Sequence, residues 1–131
     1  MIYAESDFLL AIIKKGDWLK TSAQKIYAEN KGDITTSIAA IIEIALIYDR
    51  LNLNIENVID SIFKIVHVEG MTTEEGAEVA HLIQEEKLSV FDAFHAVLSR
   101  GLPIASSEHV YDKIGKQRIK LEKRQIVTFI G

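Results

Sequence analysis

IYAESDFLLAII (residues 2–13) runs from an apolar segment through two acids set around a hydroxyl, Glu5, Ser6 and Asp7, into a second apolar segment. Residues 1–5 have the character of a short buried strand. Ser6 is a candidate N-cap for a helix through DFLLAII that stops near Gly16. A strand that hands directly to a helix is the unit from which parallel sheets are built, so the rest of the chain is read for repeats of that unit.

A second helix is expected from Asp17 to about Asn30. Thr35, Thr36 or Ser37 can cap a third, 37–51, whose apolar residues fall on nearly every face, which predicts a central position. Asn54 can cap a fourth, IENVIDSIFKIV (55–66). VHVEG (66–70) reads as a short strand, Thr72 or Thr73 begins an acidic helix over 73–87, and Ser89 opens VFDAFHAVLSRG with Gly101 as its natural stop. LPIASS (102–107) reads as another strand, Val110 to Gly115 as a helical turn, and RIKLE (118–122) as a further strand. The final KRQIVTFIG mixes charge with β-branched residues and is not assigned. Strands separated by helices predict an α/β fold, a parallel sheet with helices on both faces. Ligands of such sheets sit beyond the carboxyl ends of the strands. Glu5 lies where the first strand ends and Glu108 just after the strand at 103–106, so the two acids are expected on one rim.

The 131 residues fit one domain, 1–131, and its 48% hydrophobic content with one proline and no biased segment reads as globular. The chain has no cysteine, which excludes disulfides, thiolate zinc sites and a cysteine nucleophile and suits a reducing cytoplasm. Met1 leads into a strand-like segment rather than a basic n-region, so no signal peptide is expected. The longest apolar run, SIAAIIEIALIY (37–48), is too short to span a bilayer and contains Glu43, so a soluble protein is expected. A net charge of −4 argues against wholesale coating of a nucleic-acid backbone. Positive charge nevertheless gathers at Lys14, Lys15, Lys20 and Lys25, and again at Lys113, Lys116, Arg118, Lys120, Lys123 and Arg124. Each run is either a solvated face or a rim that contacts phosphates.

Four acids stand out against their surroundings. Glu43 sits among Ala39, Ala40, Ile42, Ile44 and Ile47, with no wide polar face to carry it outward, and a buried carboxylate needs a partner. Asp92 follows Ser89 by three residues, as in a capping box, although the usual residue there is Glu or Gln. Glu108 lies in a turn, and Asp7 suits a helix N-terminus by its charge. Carboxylates converging from separate elements can hold Mg²⁺ or Mn²⁺, ions that take oxygen ligands and activate water against a phosphodiester. Such carboxylates repel one another when no metal is bound, so neutralising Glu43 is expected to leave the metal-free protein at least as stable. The four histidines recur every fourteen residues, but their flanks share nothing; His95, one turn after Asp92, either touches the site or is an ordinary, partly exposed residue, and the second reading is preferred. Trp18 and Tyr27 are read as packing. No serine elbow, P-loop or dinucleotide fingerprint occurs, nor the middle-strand Asp that a phosphoacceptor receiver needs.

The order of the acids resembles the PIN-domain nucleases, most closely the VapC-type toxin branch and its archaeal relatives, over almost the whole chain. ESDFLLA (5–11) is similar to the opening motif, with Glu5 in place of the usual Asp; TTSIAAIIE (35–43) to the helix-borne Glu; LSVFDAFHAVLSRGLPIAS (88–106) to the helix that starts in an acid and Ala; and SSEHVYDKIG (106–115) to the hydroxyl, acid and aromatic motif of Ser106, Glu108 and Tyr111. The resemblance implies a three-layer PIN-like sandwich with a short, mainly parallel central sheet. It implies metal-dependent hydrolysis of single-stranded RNA, with Glu5, Glu43, Asp92 and Glu108 as metal ligands or water-orienting groups. Ser6 and Ser106 would be supporting hydrogen-bonders and Asp7 a secondary candidate, with Mg²⁺ or Mn²⁺ as cofactor. A homodimer and a small antitoxin that covers the groove are implied as partners, and Lys14, Lys15 or the 116–124 segment is expected on RNA phosphates. Glu5 and Glu108 depart from the family's Asp. Each adds a methylene that carries the carboxylate further out, a displacement to which catalysis is sensitive. A second reading follows from that departure, a non-catalytic binding or scaffold module that keeps the fold.

Overall fold

The computed structural model describes residues 1–121. Its elements are β1 (Ile2–Ala4), α1 (Ser6–Ile13), α2 (Lys20–Glu29), β2 (Ile34–Ser37), α3 (Ile38–Ile47), α4 (Ile55–Ile65), β3 (His67–Glu69), α5 (Thr73–Gln84), α6 (Val90–Leu98), β4 (Ile104–Ser106), α7 (Val110–Lys113) and β5 (Arg118–Lys120), the expected succession with one strand, β2, added. The five strands form one sheet in the order β3-β2-β1-β4-β5, and every pairing is parallel. The order reverses between β1 and β4, so the crevice beyond their carboxyl ends is the topological switch point at which open α/β sheets bind ligands.

β1 is buried on both faces, as the central strand of a parallel sheet must be. Its alternation divides the core: Ile2 and Ala4 pack with Phe8, Leu9, Ile41, Ile44, Val58 and Ile62 on one side of the sheet. Tyr3 points to the other, against Ala96, Leu98, Ile104 and Tyr111. A smaller cluster, Val79, Ala93 and Val97, joins α5 to α6.

Local signals place several boundaries as expected. Asn54 accepts from the Asn57 amide at the start of α4, and Thr72 with Glu75 forms a full capping box on α5. Gly101 ends the α6 segment at φ 78°, a backbone region open to glycine.

Other expectations are corrected. The segment 34–37 is a strand, not only a cap. Thr36 is buried there because its hydroxyl donates to the Ala4 carbonyl at 2.7 Å, and Ser37 ends the strand and also caps α3 by accepting from the Ala39 amide at 3.2 Å. Ser6 is the first helical residue of α1 rather than its cap. Glu5 holds the cap position with extended backbone and makes no capping bond. The third helix ends at Ile47 and is not central, since Ile38, Ile42 and Leu46 along one edge are 42%, 49% and 71% exposed. Trp18 is also exposed, while Tyr27 packs on the core. The expected strand over 118–122 appears as β5, and Glu122, Lys123, Arg124 and the terminal KRQIVTFIG lie outside the described residues. Among the described residues no helix is long and apolar enough to cross a membrane.

Candidate metal centre

β1 delivers Glu5 to the carboxyl end of the sheet, and α1 starts there at once. The Glu5 carboxylate caps no amide of α1 and instead accepts the Ser106 hydroxyl at the end of β4. Ser106 Oγ in turn accepts the Glu108 amide at 2.9 Å, which ties the following loop to the strand end. Ser6, one residue on from Glu5, donates its hydroxyl to Glu43 Oε1 from α3. Asp7 closes the far side, accepting the Ser107 amide at 2.8 Å and the Ser107 hydroxyl. Four separate elements thus meet because each ends or begins at the same edge of one parallel sheet.

The residue read as ordinary lies at the middle of this arrangement. His95 is fully buried, with Nε2 2.9 Å from Glu43 Oε1 and 3.4 Å from Ser6 Oγ. Its Nδ1 lies 2.6 Å from the hydroxyl of Tyr3, which is itself 2.8 Å from Ser37 Oγ. One ligand atom each from Glu5, Glu43 and His95 fall within 4.8 Å of one another. The available signal was its place one turn beyond Asp92, between Ala93 and Ala96. A polar ring on so apolar a helix face must find a buried partner.

Asp92 and Glu108 stand further out. Asp92 accepts the Ser89 hydroxyl at 2.6 Å, but Ser89 accepts no amide from α6, so this is not a capping box. Glu108 is exposed, and the charges that act on it come from Asp92, Asp7 and Glu43, with His109 opposing them. Of the expected site residues, Glu5, Glu43, Ser6 and Ser106 form a hydrogen-bonded inner group, while Asp92 and Glu108 lie outside it, close enough for the Asp92 charge to act on Glu108.

The electrostatics of the inner acids differ in sign. Burial pushes the Glu5 carboxyl up to about 9, and the charges of Asp7, Glu43 and Glu108 add to this against the opposing Ser106 bond. Burial also raises Asp7 against its bonds from Ser107, and raises Glu108, with Asp92 next in effect. Burial works in the same direction on Glu43, but the bonds from His95 and Ser6 outweigh it and hold that carboxyl below its ordinary value. The expectation that neutralising Glu43 leaves the metal-free protein at least as stable therefore passes to Glu5, whose neighbours are acids and a hydroxyl. Glu43 has an imidazole.

A divalent cation fits this site on two grounds. Among the described residues, no lysine or arginine forms an ion pair with Glu5, Asp7, Asp92 or Glu108, so an ionised Glu5, the buried one of the four, would lack the compensation that buried charge requires. Two buried polar atoms beside them, Asp7 Oδ1 and the Tyr111 hydroxyl, also lack a hydrogen-bond partner.

The basic runs separate on the fold. Lys14 and Lys15 follow the last residue of α1, a helix of 8 residues that starts at the site, and so lie about 12 Å along its axis from the acids. Lys14 pairs with Asp17 at 3.6 Å, and Lys20 donates to the carbonyls of Ile12 and Lys14, closing the helix end. Lys120, by contrast, is in register with Ser106 across β4 and β5.

No protein-family model matches the chain, and no curated protein matches it. Solved structures do. Mycobacterium tuberculosis VapC20, a sarcin-ricin loop cleaving toxin, is 19% identical with a TM-score of 0.75, over 91% of this chain and 98% of its own. A toxin-antitoxin complex from Klebsiella pneumoniae is 11% identical with a TM-score of 0.72, over 95% of this chain and 100% of that one. With the sheet order and a likeness that spans nearly all of both chains, the fold of this protein is PIN-like, that of a VapC-type toxin.

Proposed function

We propose that the protein is a metal-dependent endoribonuclease that hydrolyses single-stranded RNA, the toxin of a toxin-antitoxin pair. The observation that carries this reading is Glu5, 5% exposed at the switch point and surrounded by further carboxylates. A fold keeps such an arrangement at a cost in stability unless a cation binds there. Mg²⁺ or Mn²⁺ bound there supplies Lewis acidity at a phosphoryl oxygen and favours ionised water at neutral pH. Glu5 and Glu43 hold the ion, Ser106 and Ser6 fix the orientation of their carboxylates, and Asp92 and Glu108 orient water and substrate on the outer rim. The RNA and antitoxin assignments draw on the two toxin structures that share the fold. Cleavage of an unstructured RNA by the purified chain should require Mg²⁺ or Mn²⁺ and stop in chelator. Protein that binds neither ion at millimolar concentration would instead support the scaffold reading.

The RNA backbone needs a cation near the acids; among the described residues Arg118 is already engaged by Asp112 and the Ser106 carbonyl, and Lys120, in register with Ser106, suits that role. Lys120→Glu should weaken RNA binding and reduce the slope of log affinity against log salt by roughly 1, while Lys15→Glu changes neither. Equal losses from both would favour long-range attraction over contact.

We assign the outer edge of α3 to a second copy of the chain. Ile38, Ile42 and Leu46 follow one another at helical spacing with no charge in the line, so this edge can pair with itself about a twofold axis. Leu46→Asp should turn a dimer into a monomer in sedimentation, and a monomeric wild type would remove the assignment.

A further inference from the structure

We propose that His95 is itself a metal ligand, through Nε2, and that the centre is a mixed imidazole-carboxylate site selective for a first-row transition ion over Mg²⁺. This rests on the metal-dependent reading above and goes beyond it in the donor set.

The ring is held as a ligand is held. Ser37 Oγ accepts the Ala39 amide at 3.2 Å and lies 2.8 Å from the Tyr3 hydroxyl, which lies 2.6 Å from His95 Nδ1. With a metal bound, a run of bonds from Nδ1–H to Tyr3 and from Tyr3 to Ser37 would leave the Nε2 lone pair to the ion, in place of the Nε2–H that Glu43 accepts in the metal-free protein. Ligating histidines are oriented in this way, by a hydrogen bond at the other ring nitrogen. A single ion bound at roughly 2.1 Å places neighbouring ligands about 3 Å apart and opposite ones about 4 Å apart. The 2.9 Å between Nε2 and Glu43 Oε1 matches neighbouring ligands of one ion, and the group with Glu5, whose ligand atoms lie within 4.8 Å of one another, closes around it by a shift of less than about 1 Å. A purely structural histidine explains its own burial but leaves the neighbouring Tyr111 hydroxyl and Asp7 Oδ1 without partners. Those two atoms are free for hydrogen bonds to water around a bound ion. Imidazole suits Mn²⁺, Fe²⁺ or Zn²⁺, whereas Mg²⁺ takes oxygen donors and retains its waters.

The test is pulsed electron paramagnetic resonance of the full chain with Mn²⁺, read for nitrogen-14 coupling. Coupling is expected in the wild type and in His109→Ala, which removes the exposed histidine beside Glu108, and it should be absent in His95→Gln. Tyr3→Phe keeps the ring and removes only the orienting hydroxyl. It should lower Mn²⁺ affinity roughly 10- to 100-fold with a smaller change for Mg²⁺, and it serves if His95→Gln fails to fold. Mn²⁺ bound with oxygen couplings alone, or equal affinity for Mn²⁺ and Mg²⁺, would overturn the ligand assignment and leave the nuclease reading intact. No bound Mn²⁺ at all would overturn both.

Discussion

In chelator, Glu5→Gln should be more stable than the wild type, and its advantage should grow with pH. The carboxyl moves from 4.5 to about 9 on folding, first through burial and then through the charges of Asp7, Glu43 and Glu108. Below the lower value it is protonated in both states and contributes nothing. Between the two values the folded state keeps a proton that the unfolded state has released, so wild-type stability falls as pH rises through that window. Gln holds no such proton. It retains an oxygen for the Ser106 hydroxyl and adds amide hydrogens toward the acids. At pH 8 the gain should be roughly 2–4 kcal/mol, measurable by urea denaturation at several pH values. The metal response should vanish in the same variant. Wild type at a hundred times its dissociation constant gains about 2.7 kcal/mol from an ion that binds only the folded state. A variant less stable than wild type across the whole range would mean that Glu5 is a satisfied core acid.

Glu43→Gln makes the same chemical change and should have the opposite effect without metal. His95 and Ser6 favour the Glu43 charge against its burial, so its carboxyl lies below the ordinary value. That contribution is fully present above the unfolded value of 4.5 and is lost as pH falls from there through the lower value of the folded state. Removing the charge should cost on the order of 1–3 kcal/mol at neutral pH, the range for a hydrogen bond to a charged group. RNA cleavage should fall at least about a hundredfold, since a misplaced ligand misplaces the reacting phosphate. Melting the variant in chelator and assaying its cleavage with Mn²⁺ separates the two effects. If Glu43→Gln were stabilised like Glu5→Gln, repulsion among the acids would dominate and the imidazole bond would count for little.

The two variants also mark what could be read from one dimension. Caps at Asn54 and Thr72 and the stop at Gly101 were legible because the residues that form them lie within a few positions of one another. The α/β class was legible from strands that hand directly to helices, and the acids from carboxylates in apolar settings. β2 was not, because Thr35, Thr36 and Ser37 carry the composition of a helix cap. Only pairing with β1 and a hydroxyl bond to the Ala4 carbonyl make them a strand. The sequence also could not separate Lys14 from Lys120, since their distances from the acids depend on the direction of α1 and the register of β5. His95 is the clearest case. Its partners Tyr3 and Glu43 lie 92 and 52 residues away, and its burial depends on both sheet order and helix packing. By itself the sequence determined the α/β class, most of the elements, several of their caps and the residues able to carry charge, since these follow from short-range bonding and periodicity. Which acid is stabilised and which is strained was decided by the tertiary structure alone, because a carboxyl's protonation depends on the groups within a few ångströms of it, and the chain supplies those groups from distant positions.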